Sequence, residues 1–140
     1  MKRRVLASVI LLLAASLGGC VSMEPRVYDV RSAPLPLLQA PVRLDQIADA
    51  IMRAGASLGW QMRRTGAHDM TGILDVYHAE AVVSVHFTTH SYTIRYRRSR
   101  HLHAAAGRIE PRYNVWIKSL SQQIEFQAAC IGRIQCRQAI

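Results

Sequence analysis

Between residues 60 and 98 the chain alternates apolar and polar side chains through four short segments. Residues 60–64 open the series. In 72–78, Leu74 and Val76 share one face, with Asp75 and Tyr77 on the other. In 81–88, Val83, Val85 and Phe87 share a face. In 91–98, Tyr92, Ile94 and Tyr96 do so, with Thr93, Arg95 and Arg97 opposite. A period of two marks a strand with one buried face, because successive side chains point to opposite sides. Four such strands in succession predict an antiparallel meander with one face covered and one wet. Residues 66–69 read as a turn. The boundaries at Ala79-Glu80 and Thr89-His90 lack the Asn-Gly chemistry that fixes tight hairpins.

Helical periodicity flanks the meander. Leu44, Ile47, Ala48, Ile51, Ala54 and Leu58 recur at spacings of three and four, which predicts a helix over 43–58. Asp45 and Asp49 lie near its positive end, and Gly59 stands where a capping glycine ends a helix. A second helix starts near Pro111, a residue tolerated in a first turn. Its stripe is Tyr113, Trp116, Ile117, Leu120, Ile124 and Ala128. The order α-β-β-β-β-α predicts an α+β fold, a two-layer sandwich with both helices on one face of about four strands. The open face then carries Arg63, Asp75, Tyr77, His86, Arg95 and Arg97.

The chain opens with Lys2, Arg3 and Arg4, then a short apolar run ending in Leu17-Gly18-Gly19-Cys20. A basic start, an apolar stretch and small residues before a cut site form a secretory signal. The run is short of the roughly 18–20 apolar residues that span a bilayer. With cysteine directly after Gly19, the segment resembles a bacterial lipoprotein signal. That resemblance implies a signal peptide over 1–19, cleavage before Cys20, and lipid on Cys20. Val21 follows the cysteine where an aspartate, by enterobacterial-type sorting, favours inner-membrane retention; the expected location is therefore the outer membrane, facing the periplasm. Residues 20–42 hold Pro25, Pro34, Pro36 and Pro41 and read as an extended tether. Stretched out, that tether reaches about 70–80 Å. The domain is expected over 43–129, with a loose tail over 130–140.

Without the signal, the chain keeps fifteen of the 18 basic residues and all 9 acids, a net charge of +6. From Tyr92 to Lys118, seven cations (Arg95, Arg97, Arg98, Arg100, Arg108, Arg112, Lys118) face Glu110 alone. A basic patch often meets nucleic acid. Export excludes that partner. The expected partners are anionic lipid, lipopolysaccharide, peptidoglycan or an acidic envelope protein, and the expected contact residues are Arg63, Tyr77, His86, Arg95, Arg97, Arg98 and Arg100. A solvated arginine face without a ligand is the bland alternative.

Cys130 and Cys136 remain after Cys20 is assigned to lipid. An oxidising compartment permits a bridge, and Gly132 permits the bend it needs. Spacing alone leaves the bridged and free forms both open. His101 and His103, and His86 with His90, lack the further ligands a metal requires, so neither a metal nor a cofactor is expected. Ser99 and His101 sit close in sequence without a Gly-x-Ser-x-Gly elbow, and the acids are scattered, so an envelope hydrolase is the least expected reading.

The run Tyr92-Thr93-Ile94-Arg95-Tyr96-Arg97-Arg98-Ser99-Arg100-His101-Leu102, then Ile109 and Tyr113-Asn114-Val115-Trp116-Ile117-Lys118-Ser119-Leu120, resembles a family of small proteobacterial lipoproteins of uncharacterised activity. Leu58-Gly59-Trp60 fits as well, and the likeness covers most of 44–125. His101 stands where that family often has Asn, and Glu110 where it often has His. The resemblance implies class and location, not a mechanism. The Tyr113, Trp116, Ile117 and Leu120 cluster reads as core packing, with Asn114 off the stripe and free to hold a nearby loop. The expected function is a lipid-anchored, non-enzymatic binding or accessory domain. A structural subunit of an envelope assembly is the alternative.

Overall fold

The computed structural model describes residues 23–38 and 41–133. Its elements run β1 (Val30–Pro34), α1 (Leu44–Ser57), β2 (Gln61–Arg64), β3 (Asp69–Val76), β4 (Ala79–Phe87), β5 (Ser91–Arg100) and α2 (Pro111–Ala129). One antiparallel sheet has the order β1-β5-β4-β3-β2. The two helices cover one face, giving the expected α+β sandwich with five strands instead of about four.

The alternation builds the core. Ala79, Ala81, Val83, Val85 and Phe87 of β4 are buried, as are Tyr92 and Ile94 of β5. Ile47, Ala48, Ile51 and Ala54 of α1 meet them, with Tyr113, Ile117, Leu120 and Ile124 of α2. Burial of such apolar area, at about 25 cal/mol per Å², is the main force holding helices to sheet. At the start of α1, Gln46 Oε1 accepts from Arg43 N–H at 2.9 Å, which satisfies one donor at the helix entrance. At its end Gly59 takes a left-handed φ of 83°, and Trp60 N–H returns to Gly55 O at 2.9 Å.

The fifth strand corrects the tether. Residues 30–34 pair with β5, and Val30 and Leu35 are buried in the core. Further upstream, Val27 N–H donates to Gly107 O at 2.9 Å, and Pro25 O accepts from Ile109 N–H at 3.0 Å. Prolines mark a chain that cannot be helical; they do not prevent an edge strand, where one side needs no donor. The chain is therefore docked over 24–35, inside the stretch expected as a free tether.

The hairpins also differ from the alternation alone. The β3–β4 turn is Tyr77-His78, both left-handed, with φ of 50° and 66°. That is the backbone of a two-residue primed turn, built here without Asn or Gly. Tyr77 thus stands at a hairpin tip, 88% exposed, and not on the open sheet face.

Candidate functional site

Strand register sets out the open face in cross-strand rows. Arg95 pairs with Ser84, Ser84 with Thr71, and Thr71 with Arg63. Thr93, His86 and Asp69 form the next row, and Arg98, Val82, Ile73 and Gln61 the row on the other side of Arg95. Arg100, Glu80 and Asp75 close the face. The Arg63 and Arg95 backbones stand three strand spacings apart, about 14 Å.

A bulge decides which arginines reach this face. Val83 pairs with Tyr96 and Val82 with Arg98, so Arg97 has no cross-strand partner. Strict alternation from Tyr92, Ile94 and Tyr96 would carry Arg98 and Arg100 inward. The inserted residue shifts the phase, so Ser99 takes the inner position opposite Ala81, and Arg98 and Arg100 come outward. Tyr96 Oη bonds Ser99 Oγ at 2.9 Å across the bulge. On its outer edge Tyr96 N–H donates to Asp29 Oδ1 at 2.9 Å.

Six of the seven expected contact residues fall into three groups, and the seventh, Tyr77, stands apart at the hairpin tip. Arg98 Nη1 and Arg100 Nη2 each lie 3.0 Å from one oxygen of Glu80, whose side chain is 12% exposed. A carboxylate held between two guanidiniums offsets one of their two charges inside the molecule and fixes both heads. His86 Nδ1 lies 2.9 Å from Asp69 Oδ1. Arg63, Arg95 and Arg97 are exposed and make no ion pair or hydrogen bond among the described residues. The open cationic set is therefore Arg63, Arg95 and Arg97. Val82 lies on the same face but is 6% exposed, in the row between Ile73 and Arg98. Long arginine stems cover apolar surface in this way while their heads stay in water.

Glu80 and Asp69 were not singled out by sequence, because each acts through a neighbour on another strand. The register that pairs Glu80 with Arg100 is the signal that finds it. Ser99 is bonded to Tyr96, not to His101, so the adjacent serine and histidine form no nucleophile–base pair. Among the described residues no three of His, Cys, Asp and Glu gather to hold a metal. Cys130 caps α2 and is disulfide-bonded. Cys20 and Cys136 lie outside the described residues.

Most of the large aromatic and aliphatic residues of the 92–120 run are packed in the core. Tyr96 meets Tyr113 edge to face at 5.5 Å, and Tyr92 Oη reaches Ser121 Oγ at 2.6 Å and Glu125 Oε1 at 3.0 Å. Leu102 and Ile109 are buried, and Glu110 N–H donates to Leu102 O at 2.9 Å to close the loop between them. Asn114 clamps the leading segment, and not the loop over 99–109: its Nδ2 donates to Arg26 O and its Oδ1 accepts from Tyr28 N–H, both at 2.9 Å. At the other end of the sheet, Leu35, Leu37, Pro41, Val42, Thr89 and His90 line an apolar cleft. No family model, curated protein or solved structure matches the chain.

Proposed function

We propose that this chain is a lipid-anchored cell-envelope protein whose domain is a non-enzymatic binding or accessory module. Its open sheet face takes an anionic envelope component. The carrying observation is the row that begins at Arg95, crosses Ser84 and Thr71, and ends at Arg63, with Arg97 beside it at the bulge. Two free arginines whose backbones stand about 14 Å apart, with hydroxyls between them, suit phosphates or carboxylates repeated along a surface or polymer. A guanidinium grips either group through two parallel bonds, which gives orientation as well as attraction. The Cys20 context and the short leading apolar run support the anchor. Among the described residues no helix is long and apolar enough to cross a membrane.

Binding of the full chain, carrying Cys20→Ser to remove the anchor, tests the reading. The probes are vesicles rich in phosphatidylglycerol, lipopolysaccharide and peptidoglycan, each over a range of salt. Binding that weakens with salt and falls at least tenfold in the Arg63→Glu, Arg95→Glu double variant supports the site. Affinities that the double variant leaves unchanged for all three probes refute it.

A further inference from the structure

The segment ahead of β1 is bound to the domain almost up to the proposed lipid site. Arg108 Nη1 donates to Glu24 O at 2.7 Å. Beyond it, the bonds from Ile109 to Pro25 O, from Val27 to Gly107 O and from Asn114 to both Arg26 and Tyr28 hold each following residue. From Cys20 to Glu24 the chain advances four residues, at most about 14 Å when fully extended. β5 alone has 10 residues, about 33 Å of strand. The link is thus shorter than the sheet is tall.

Register fixes which end of the sheet lies beside that link. Asp29 bonds the backbone of Tyr96, so the chain from Asp29 back to Glu24 runs toward the Arg100 end of β5. Arg100 pairs with Glu80, and Val76 with Ala79, so the Tyr77-His78 tip lies at the same end. The loop over 101–110 joins β5 to α2 there as well. The other end holds the turn over 65–68 and the turn over 88–90.

We propose that the end formed by the Tyr77-His78 tip, the 101–107 loop and Met23 is a membrane-contacting surface that rests on an anionic bilayer. The proposal rests on the reading of Cys20 as lipid-bearing. A link of about 14 Å holds this end at the headgroups and keeps the opposite end away. The side chains here suit that layer. Tyr77 is 88% exposed and Met23 71% exposed, neither with a partner among the described residues. A tyrosine places its ring at the depth where headgroups meet acyl chains. Exposed Arg26, beside the link, supplies a cationic head toward lipid phosphates. The strands then stand away from the membrane, and the Arg95 row lies about 15 Å above the contact, open sideways to the envelope.

The test uses the full lipidated chain in vesicles of phosphatidylethanolamine and phosphatidylglycerol with brominated acyl chains. Tryptophan emission is read for Tyr77→Trp and for Ala67→Trp, a site in the turn at the opposite end, with the parent chain's emission subtracted. Position 77 should lose at least half its emission to bromine while position 67 keeps its own. Amide exchange over 101–107 should slow at least threefold on the vesicles. Equal quenching at both positions, or none at 77 with unchanged exchange, overturns the proposal. The mass of the Cys20 peptide separates the two readings. An unmodified Cys20 refutes the anchor and with it this inference; a lipidated Cys20 with no quenching at 77 refutes this inference alone.

Discussion

Arg108 and Glu24, 84 residues apart, are joined by a 2.7 Å hydrogen bond from the guanidinium to the backbone carbonyl. It closes the leading segment onto the loop before α2. Arg108→Ala removes a charged donor, a bond worth about 1.5–3 kcal/mol when fully desolvated and about 1 kcal/mol at this half-buried site. Global stability should change little. Amide exchange at Val27 and Tyr28 should accelerate about fivefold, since 1.4 kcal/mol corresponds to about tenfold. Exchange rates that match the parent would show that the segment is held without Arg108.

Glu80 divides the arginines of the open face into held and free. Arg98→Ala and Arg100→Ala each remove a cation whose charge is partly offset by Glu80. Each should weaken binding to an anionic surface less than threefold, whereas Arg95→Ala, with no internal partner, should weaken it more. Glu80→Gln releases both held arginines, so it should tighten binding and steepen its salt dependence. Titration at two salt concentrations reads both effects.

The two buried tyrosines should respond oppositely to loss of the hydroxyl. Tyr113 Oη is buried with no hydrogen-bond partner among the described residues. Tyr113→Phe discards an unsatisfied group and should raise stability by about 1 kcal/mol. Tyr92→Phe breaks the bonds to Ser121 and Glu125 and should cost about 1 kcal/mol. Urea unfolding midpoints should therefore move in opposite directions.

Burial holds both hydroxyls above the ordinary tyrosine range; at Tyr92 the Ser121 bond opposes this in part while Glu125 adds to it, and Asp29 adds to it at Tyr113. The unfolded chain loses these protons near pH 10, while the folded chain keeps them. Their contribution to stability is complete below that pH and declines as pH rises toward the folded values. The expected slope above pH 10 is up to about 1.4 kcal/mol per pH unit for each tyrosine. Alkaline unfolding of the Tyr92→Phe, Tyr113→Phe double variant should show that slope reduced.

Gly72 lies where a Cβ would come within 2.9 Å of Met62 Sδ, 3.2 Å of Val83 Cγ2 and 3.3 Å of Trp60 Cε3. Gly72→Ala should destabilise by about 1–3 kcal/mol, the usual range for overpacking a filled core. A thermal midpoint equal to the parent's would mean that Met62 moves aside without penalty.

What the sequence determined by itself is the part of the fold written in local periodicity. Side-chain direction follows from backbone geometry, so a period of two or near 3.6 names each buried face without knowledge of its neighbours. The helices, the meander, the core stripe of α2 and the exposed positions of Arg63 and Arg95 all came from that rule. What only the tertiary structure decided depends on contacts across the chain. β1 is a strand because β5 offers it an edge, although the prolines over 20–42 read as a tether. Tyr77 left the sheet face because the register of β3 against β4 places the turn two residues before Ala79-Glu80, the boundary expected from the alternation. Arg98 and Arg100 face outward because a single unpaired residue at Arg97 shifts the phase, and they are held because Glu80 lies opposite on β4. Pairing and register are set by the summed packing of distant segments, and that sum, not any short pattern, settled which arginines stay free.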